Sequence, residues 1–342
     1  MKSKLKQLSG LLLGLLLIVW VLRQADPQRI WEQLVEASWG GLALAALLTL
    51  GQCAPRVWRW RALLEPVRVG IAFRPMFSAV ILGYMTSWLI PGRLGEVVRP
   101  ALLSGRERIP LGACLGSVVV DRMLDGMSLL GLFALGVAMA PLEGAAAGHA
   151  ALLRTASIVV VGLMATVVLA LLGALALEAR LTAWLHGRSG ALAWVMRSLL
   201  AVARGAEAIK RPRLLLRVVL HSVLVWIVIA IGTWLGLRAC TVDISPWSVL
   251  ILMPLLALGI SVPTPGGAGG YHAAMAFGLR ELFGVDASIA VGAGVLLHAV
   301  SVVPVILLGL ILLRLDRLPF HDLLDAGRQI RDMGAAPMED PT

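Results

Sequence analysis

Leu89-Ile90-Pro91-Gly92-Arg93-Leu94-Gly95-Glu96 and, far along the chain, Val262-Pro263-Thr264-Pro265-Gly266-Gly267-Ala268-Gly269-Gly270-Tyr271-His272 decide how this sequence folds. Each closes a short apolar run, residues 76–90 and 247–262, below the roughly 20 residues that a helix needs to cross a bilayer. Backbone that stops being helical at membrane depth persists only where protein or a water-filled cavity satisfies its polar groups. Both runs are therefore expected to enter and return as hairpins, with their broken tips as first candidates for a transport site.

The chain around them is 59% hydrophobic and only 15% charged, with a mean hydropathy of +0.88. Its apolar runs exceed what one soluble core could hide, which indicates a polytopic membrane protein. The net charge of +10 does not point to nucleic acid, because the arginines sit in short segments flanking apolar runs, the positive-inside pattern. Spans of sufficient length occur at residues 5–22, 39–55, a long segment ending near Pro141, 157–177, 218–237 and 287–313. Arg56, Arg59, Arg61, Arg68 and Arg74 precede the first short run, and Arg93, Arg99, Arg106 and Arg108 follow it. A re-entrant hairpin keeps both clusters inside, whereas a crossing would expose one of them.

The segment at about residues 180–215 is also expected inside, since eight arginine or lysine residues there and in the flanking positions face only Glu178 and Glu207. Its helical pattern at 191–209 suits an amphipathic helix on the inner leaflet, or a solvated helix between spans. The expected fold class is an all-α polytopic membrane protein. About six spanning helices are joined by two re-entrant helical hairpins entering from opposite faces, as in an inverted repeat. Residues 1–315 form the integral membrane domain, with an anchor helix at its start, and 316–342 a short cytoplasmic tail. Both termini are then cytoplasmic.

The candidate site residues follow from charge and backbone. Arg93, Glu96 and Arg99 lie at the exit of the first hairpin, where arginine offers a planar fork for phosphate or carboxylate. They also suit plain positive-inside anchors. Asp121, Arg122 and Asp125 lie within the long apolar stretch 111–141, either at mid-membrane or at the inner interface. Ionisable groups in a membrane helix are costly unless paired. Arg122 and Asp125 can pair at i,i+3, which leaves Asp121 to find Arg93 or Arg99. In the second signature, Pro265, Gly266, Gly267, Gly269 and Gly270 remove donors and permit positive φ, and a helix restarting near Gly270 before His272 presents N–H groups to an anion. A nucleotide loop is excluded, because the lysine and Ser/Thr ending is missing. His298 reads as a proton relay or a helix contact. Trp58, Trp60, Trp226, Trp234 and Trp247 read as interfacial anchors. Cys53, Cys114 and Cys240 have neither disulfide nor zinc spacing. No metal, cofactor or catalytic set is expected.

Taken in order, Arg56-Val57-Trp58-Arg59-Trp60-Arg61-Ala62-Leu63-Leu64, the Pro91–Arg99 stretch, Asp121-Arg122 with Asp125, and Thr264-Pro265-Gly266-Gly267-Ala268-Gly269 resemble a known family. It is the flippase-like membrane domain shared with the N-terminal half of bacterial lysylphosphatidylglycerol synthetases, and the likeness covers about residues 5–315. The resemblance implies lipid movement between leaflets of the bacterial inner membrane, with Arg93, Glu96, Arg99, Asp121, Arg122 and the Pro265 loop at a central groove. Family members often carry a glutamate about three residues after the second glycine motif, where Tyr271-His272 stands here. That departure argues against a cationic aminoacyl lipid, and it is similar to members associated with polyprenyl, hopanoid or glycolipid pathways. A stand-alone membrane domain without the soluble aminoacyl-transferring half implies no lysyl transfer and no enzyme. The expected partners are a membrane lipid and lipid-synthesis enzymes. Two other readings stand beside this: an ion-coupled small-solute carrier, and a non-transporting membrane partner of an envelope-lipid enzyme.

Overall fold

The computed structural model describes residues 25–90, 94–142, 145–186, 211–262 and 264–323 continuously, together with positions 12, 14, 16, 17, 19, 23, 190, 196 and 325. Among the described residues there is helix and no strand. The helices are α1 (Pro27–Glu36), α2 (Trp39–Gly51), α3 (Cys53–Leu64), α4 (Phe73–Leu89), α5 (Gly95–Glu107), α6 (Leu111–Met139), α7 (Ala145–Ala176), α8 (Glu178–Leu185), α9 (Pro212–Ala239), α10 (Pro246–Ser261), α11 (Ala268–Phe277) and α12 (Ala287–Leu315). Local chemistry sets several of their starts. Asp26 caps α1 with Pro27 at the first helical position, Ser38 caps α2, Ser245 caps α10 ahead of Pro246, and Asp286 caps α12.

Three helices are long and apolar enough to cross a membrane: Ala146–Ala170 within α7, Pro212–Ala239 and Ala287–Leu315. A fourth is counted if α1 and Trp39–Leu64, bent by 82°, form one broken span. With its apolar outer surface this is a multi-pass membrane protein. Of the other expected spans, residues 5–22 fall mostly outside the described residues. α6 has the length but carries Asp121, Arg122 and Asp125 in its middle. The amphipathic segment at 191–209 and the tail from 326 likewise lie outside the described residues, apart from position 196.

One boundary differs from the sequence reading in a way that matters. The second apolar segment does not stop at Pro55; helix resumes after Gln52 and runs to Leu64. A proline in the first turn of a helix removes no needed hydrogen bond, so Pro55 does not terminate it. Arg56 and Arg59 are thereby carried into the bundle.

The two Pro-Gly signatures each separate a pair of antiparallel helices. In α4–α5, a Cβ on Gly95 would collide with the Gly83 carbonyl, and one on Gly83 would lie 3.0 Å from Arg99 Cβ. In α10–α11 the same device recurs: Cβ atoms on Gly259 or Gly270 would strike the other's carbonyl. Helix axes can approach this closely only where side chains are absent.

α12 shows how the hairpins are placed. Near its start Gly294 packs on Met275 of α11, near its end Gly309 packs on Met85 of α4, and Asp316, capping it, bonds Ser78 of α4. The hairpins thus run along α12 from opposite ends. Between them the last turn of α4 approaches the second signature, where a Cβ on Gly266 would lie 3.4 Å from the Trp88 carbonyl.

Candidate functional site

The middle of the bundle holds a buried ion network. On α3, Arg56 and Arg59 are three residues apart and project to one side; on α6, Asp121 and Asp125 are four apart and project back. Arg59, fully buried, donates through Nε to Asp121 Oδ1 at 2.7 Å and through Nη2 to Asp125 Oδ1 at 2.8 Å. Its Nη1 reaches Ser222 Oγ on α9 at 3.3 Å. Arg56 donates to Asp125 Oδ2 at 2.8 Å and to Gln52 Oε1 at 2.8 Å. Arg99 of α5 donates to Asp121 Oδ2 at 2.9 Å and lies 4.6 Å from the Trp60 ring centroid. Trp60 in turn donates to Ser117 Oγ at 2.8 Å.

Arg122 closes the network at its margin. It meets Asp121 Oδ2 at 3.0 Å, Asp125 Oδ2 at 2.9 Å and Glu96 Oε1 at 3.5 Å. The Arg122 and Glu96 side chains are 35% and 30% exposed, against 10% or less for Arg56, Arg59, Arg99, Asp121 and Asp125, so the surface mouth of the network is the Arg122–Glu96 pair. Four guanidinium groups face three carboxylates. Arg99 Nε, Arg122 Nε and Tyr84 Oη are buried without a hydrogen-bond partner among the described residues. Asp121 is ten residues into α6, about 15 Å from its start. That places the network inside the bundle, with Glu96 in the first turn of α5 directly after the first signature.

The expected pairing of Arg122 with Asp125 and of Asp121 with Arg99 is present. Arg93, the other partner considered for Asp121, lies outside the described residues, as do Pro91 and Gly92. Sequence reading missed Arg56 and Arg59, taken for cytoplasmic anchors, and Trp60 and Trp226, taken for interfacial ones although both are buried. The signal was there: two arginines at helical spacing directly continuing an apolar run, matched to two aspartates at helical spacing. Trp58 and Trp247 are exposed, and Trp234 donates to the Ile244 carbonyl at 3.0 Å.

The second signature is built differently. Gly266 and Gly267 adopt positive φ of 60° and 65°, and the helix restarts at Ala268, two residues earlier than expected, with Gly267 as its cap. No side chain caps this end of α11. Gly269 faces the backbone of the leading segment, where a Cβ would come 2.7 Å from the Gly14 carbonyl. His272 follows on α11 and donates through Nδ1 to the Ala268 carbonyl. Its ring lies 4.9 Å from that of His298 on α12, which also contacts Tyr271 at 5.1 Å and Trp88 at 5.7 Å. The second hairpin's site residues therefore gather around the two histidines, and the first hairpin's around the aspartates. No group of three or more metal-ligating side chains occurs among the described residues.

A helical membrane protein in which two helix pairs, each parted by a Pro-Gly signature, pack beside a buried arginine–aspartate network is the class that this architecture defines. The chain belongs to the Lysylphosphatidylglycerol synthase TM region family, whose pattern it matches over residues 7–309. It is also similar to the Glycosyltransferase AglD of Haloferax volcanii, 26% identical over 329 residues that cover 86% of this chain and 51% of the relative. The chain thus spans about half the length of that curated relative. No solved structure matches it.

Proposed function

We propose that this protein moves an amphiphilic lipid between the leaflets of the bacterial inner membrane, with both termini in the cytoplasm. The observation that carries the reading is the buried network of four arginines and three carboxylates, open to the surface at Arg122 and Glu96. Stability alone does not call for it, since well-packed apolar residues serve a bundle as well as or better than buried ion pairs. A polar lane inside an apolar wall suits a head group in transit while its tails stay in lipid.

In this reading both hairpins are re-entrant and work as a pair of halves around the lane. Arg59 and Arg99 are committed to the aspartates, so the head group meets Arg122 and Glu96 first. The excess of one guanidinium favours an anionic, isoprenoid-phosphate or glycolipid head group. The Gly266–Gly270 tip adds backbone donors.

The test is reconstitution of the purified chain with fluorescent lipids. Leaflet exchange that rises with protein density, and falls with Glu96→Gln and Arg122→Gln, supports the reading. Exchange no faster than in protein-free vesicles for anionic, aminoacylated and isoprenoid lipids alike overturns it.

The relative's name favours a second reading, in which this membrane unit presents a lipid to a glycosyl-transferring or other lipid-synthesis enzyme without moving it. Stable stoichiometric co-purification with such an enzyme, together with inert vesicles, would select that reading.

A further inference from the structure

The junction of the hairpin tips holds two titratable rings that the lipid lane does not use. From the geometry we infer that His272 and His298 form a proton-binding site whose occupancy controls whether the tips are joined or parted. His272 Nδ1 donates to the Ala268 carbonyl, which fixes its tautomer and leaves Nε2 as the basic nitrogen. His298 Nδ1 is buried and has no hydrogen-bond partner among the described residues.

The surroundings make an added proton consequential. Trp88 from α4 and Tyr271 from α11 lie against His298, and the Gly266–Gly267 backbone lies against Trp88. The titratable and charged groups facing it can be taken element by element. α11 supplies Tyr271, with Cys240 from the end of α9 behind it; α12 supplies Ser301 beside Tyr271 but no charge; α4 supplies Trp88 and no charge. α10 and α11 contain no Asp, Glu, Lys or Arg at all. Joined tips therefore suit two neutral imidazoles. A proton taken from water onto either ring makes an unpaired cation in an apolar junction, which is costly until water reaches it. Parting the tips supplies that water, and release of the proton to the other side lets them rejoin. With rings 4.9 Å apart, repulsion limits the pair to one proton while the tips are joined.

This switch is independent of which lipid is carried, although its value as an energy source rests on the lipid-moving reading. Leu89 and Ser261 are exposed at the ends of α4 and α10 beside the two tips. Spin labels at Leu89→Cys and Ser261→Cys, in the full chain in nanodiscs, report tip separation by electron–electron distance measurement. The expected result is one short distance at pH 8 and a longer population that grows as pH falls, by up to about tenfold per pH unit until it saturates. His298→Gln and His272→Gln should each shrink that response, and the double variant abolish it while retaining the short distance. A distance that ignores pH, or a pH response that survives in the double variant, overturns the proposal. Should the double variant fail to fold, the single variants decide: a pH response undiminished in both of them overturns the proposal. In vesicles, lipid exchange that ignores an imposed pH gradient while the tips still respond would remove the coupling but not the switch. Absence of exchange with responding tips would instead count against the lipid-moving reading.

Discussion

Hairpin α4–α5 is tied to its neighbours by charge: Arg99 to Asp121 on α6, and Arg106 and Arg74 to Asp316 at the end of α12. Hairpin α10–α11, built on the same glycine contact, has no charged residue in either helix and is held by apolar packing. Gly136 of α6 fits against Leu250 and the Trp247 carbonyl, and Gly294 against Met275. Ion pairs with two or three ligands are directional and fail when displaced, whereas apolar contact is non-directional and tolerates sliding. In the lipid-moving reading proposed above, the charged hairpin would then be the fixed frame and the uncharged one the element that shifts against it.

The largest test removes the frame's anchor. Asp121→Ala leaves Arg99 buried without its carboxylate and Arg59 with Asp125 alone, and should cost about 3–5 kcal/mol, read as a large fall in thermal unfolding temperature in detergent. An Asp121→Ala protein as stable as the parent would break the comparison. Next come the glycines at the close helix contacts. Gly95→Ala and Gly270→Ala each insert a methyl into a backbone contact and should cost about 1–3 kcal/mol. Gly270→Ala should be the milder, because its hairpin can yield; the reverse order in matched unfolding curves would reassign the moving part.

A smaller effect is expected at the foot of the frame. Asp316→Asn loosens the Arg74 and Arg106 contacts, but Arg74 is 72% exposed, so the loss should be about 1 kcal/mol. Its more telling readout is hydrogen exchange in α5, which should quicken without a change in α11. Last, Gly116→Ala has open space around the new methyl and should leave stability equal or higher by up to about 1 kcal/mol. A loss there would mean that small residues on α6 matter for a contact outside this chain.

Much of the fold could be read from the chain because the Pro-Gly breaks and apolar run lengths are local properties. The hairpins follow from Pro91 and Pro265 with their glycines, and the Arg122–Asp125 pair from spacing alone. What escaped was whatever depended on which helix faces which. Arg56 and Arg59 look like interfacial anchors until α3 is seen lying against α6, and Trp60 looks like a belt residue until Ser117 is opposite its indole nitrogen. His298 could be placed in a span, but nothing local brings Trp88 and His272 to it, since those residues come from two hairpins far apart in sequence. Extent of burial was the hardest property to foresee: an arginine beside an apolar run suits the interface and the interior equally until a carboxylate is found opposite.

α12 touches the uncharged hairpin near its start, both tips at His298 and the charged hairpin near its end. Pro304 lies between His298 and Asp316 and leaves the Val300 carbonyl without its usual helical donor. In the lipid-moving reading one rod would thus serve as a balance beam with a weak point beside its pivot: a bend at Pro304 would tilt the upper arm and the uncharged hairpin together, while Asp316 keeps the lower arm seated. Access from the two sides would then alternate by leverage, with no need for the charged network to come apart.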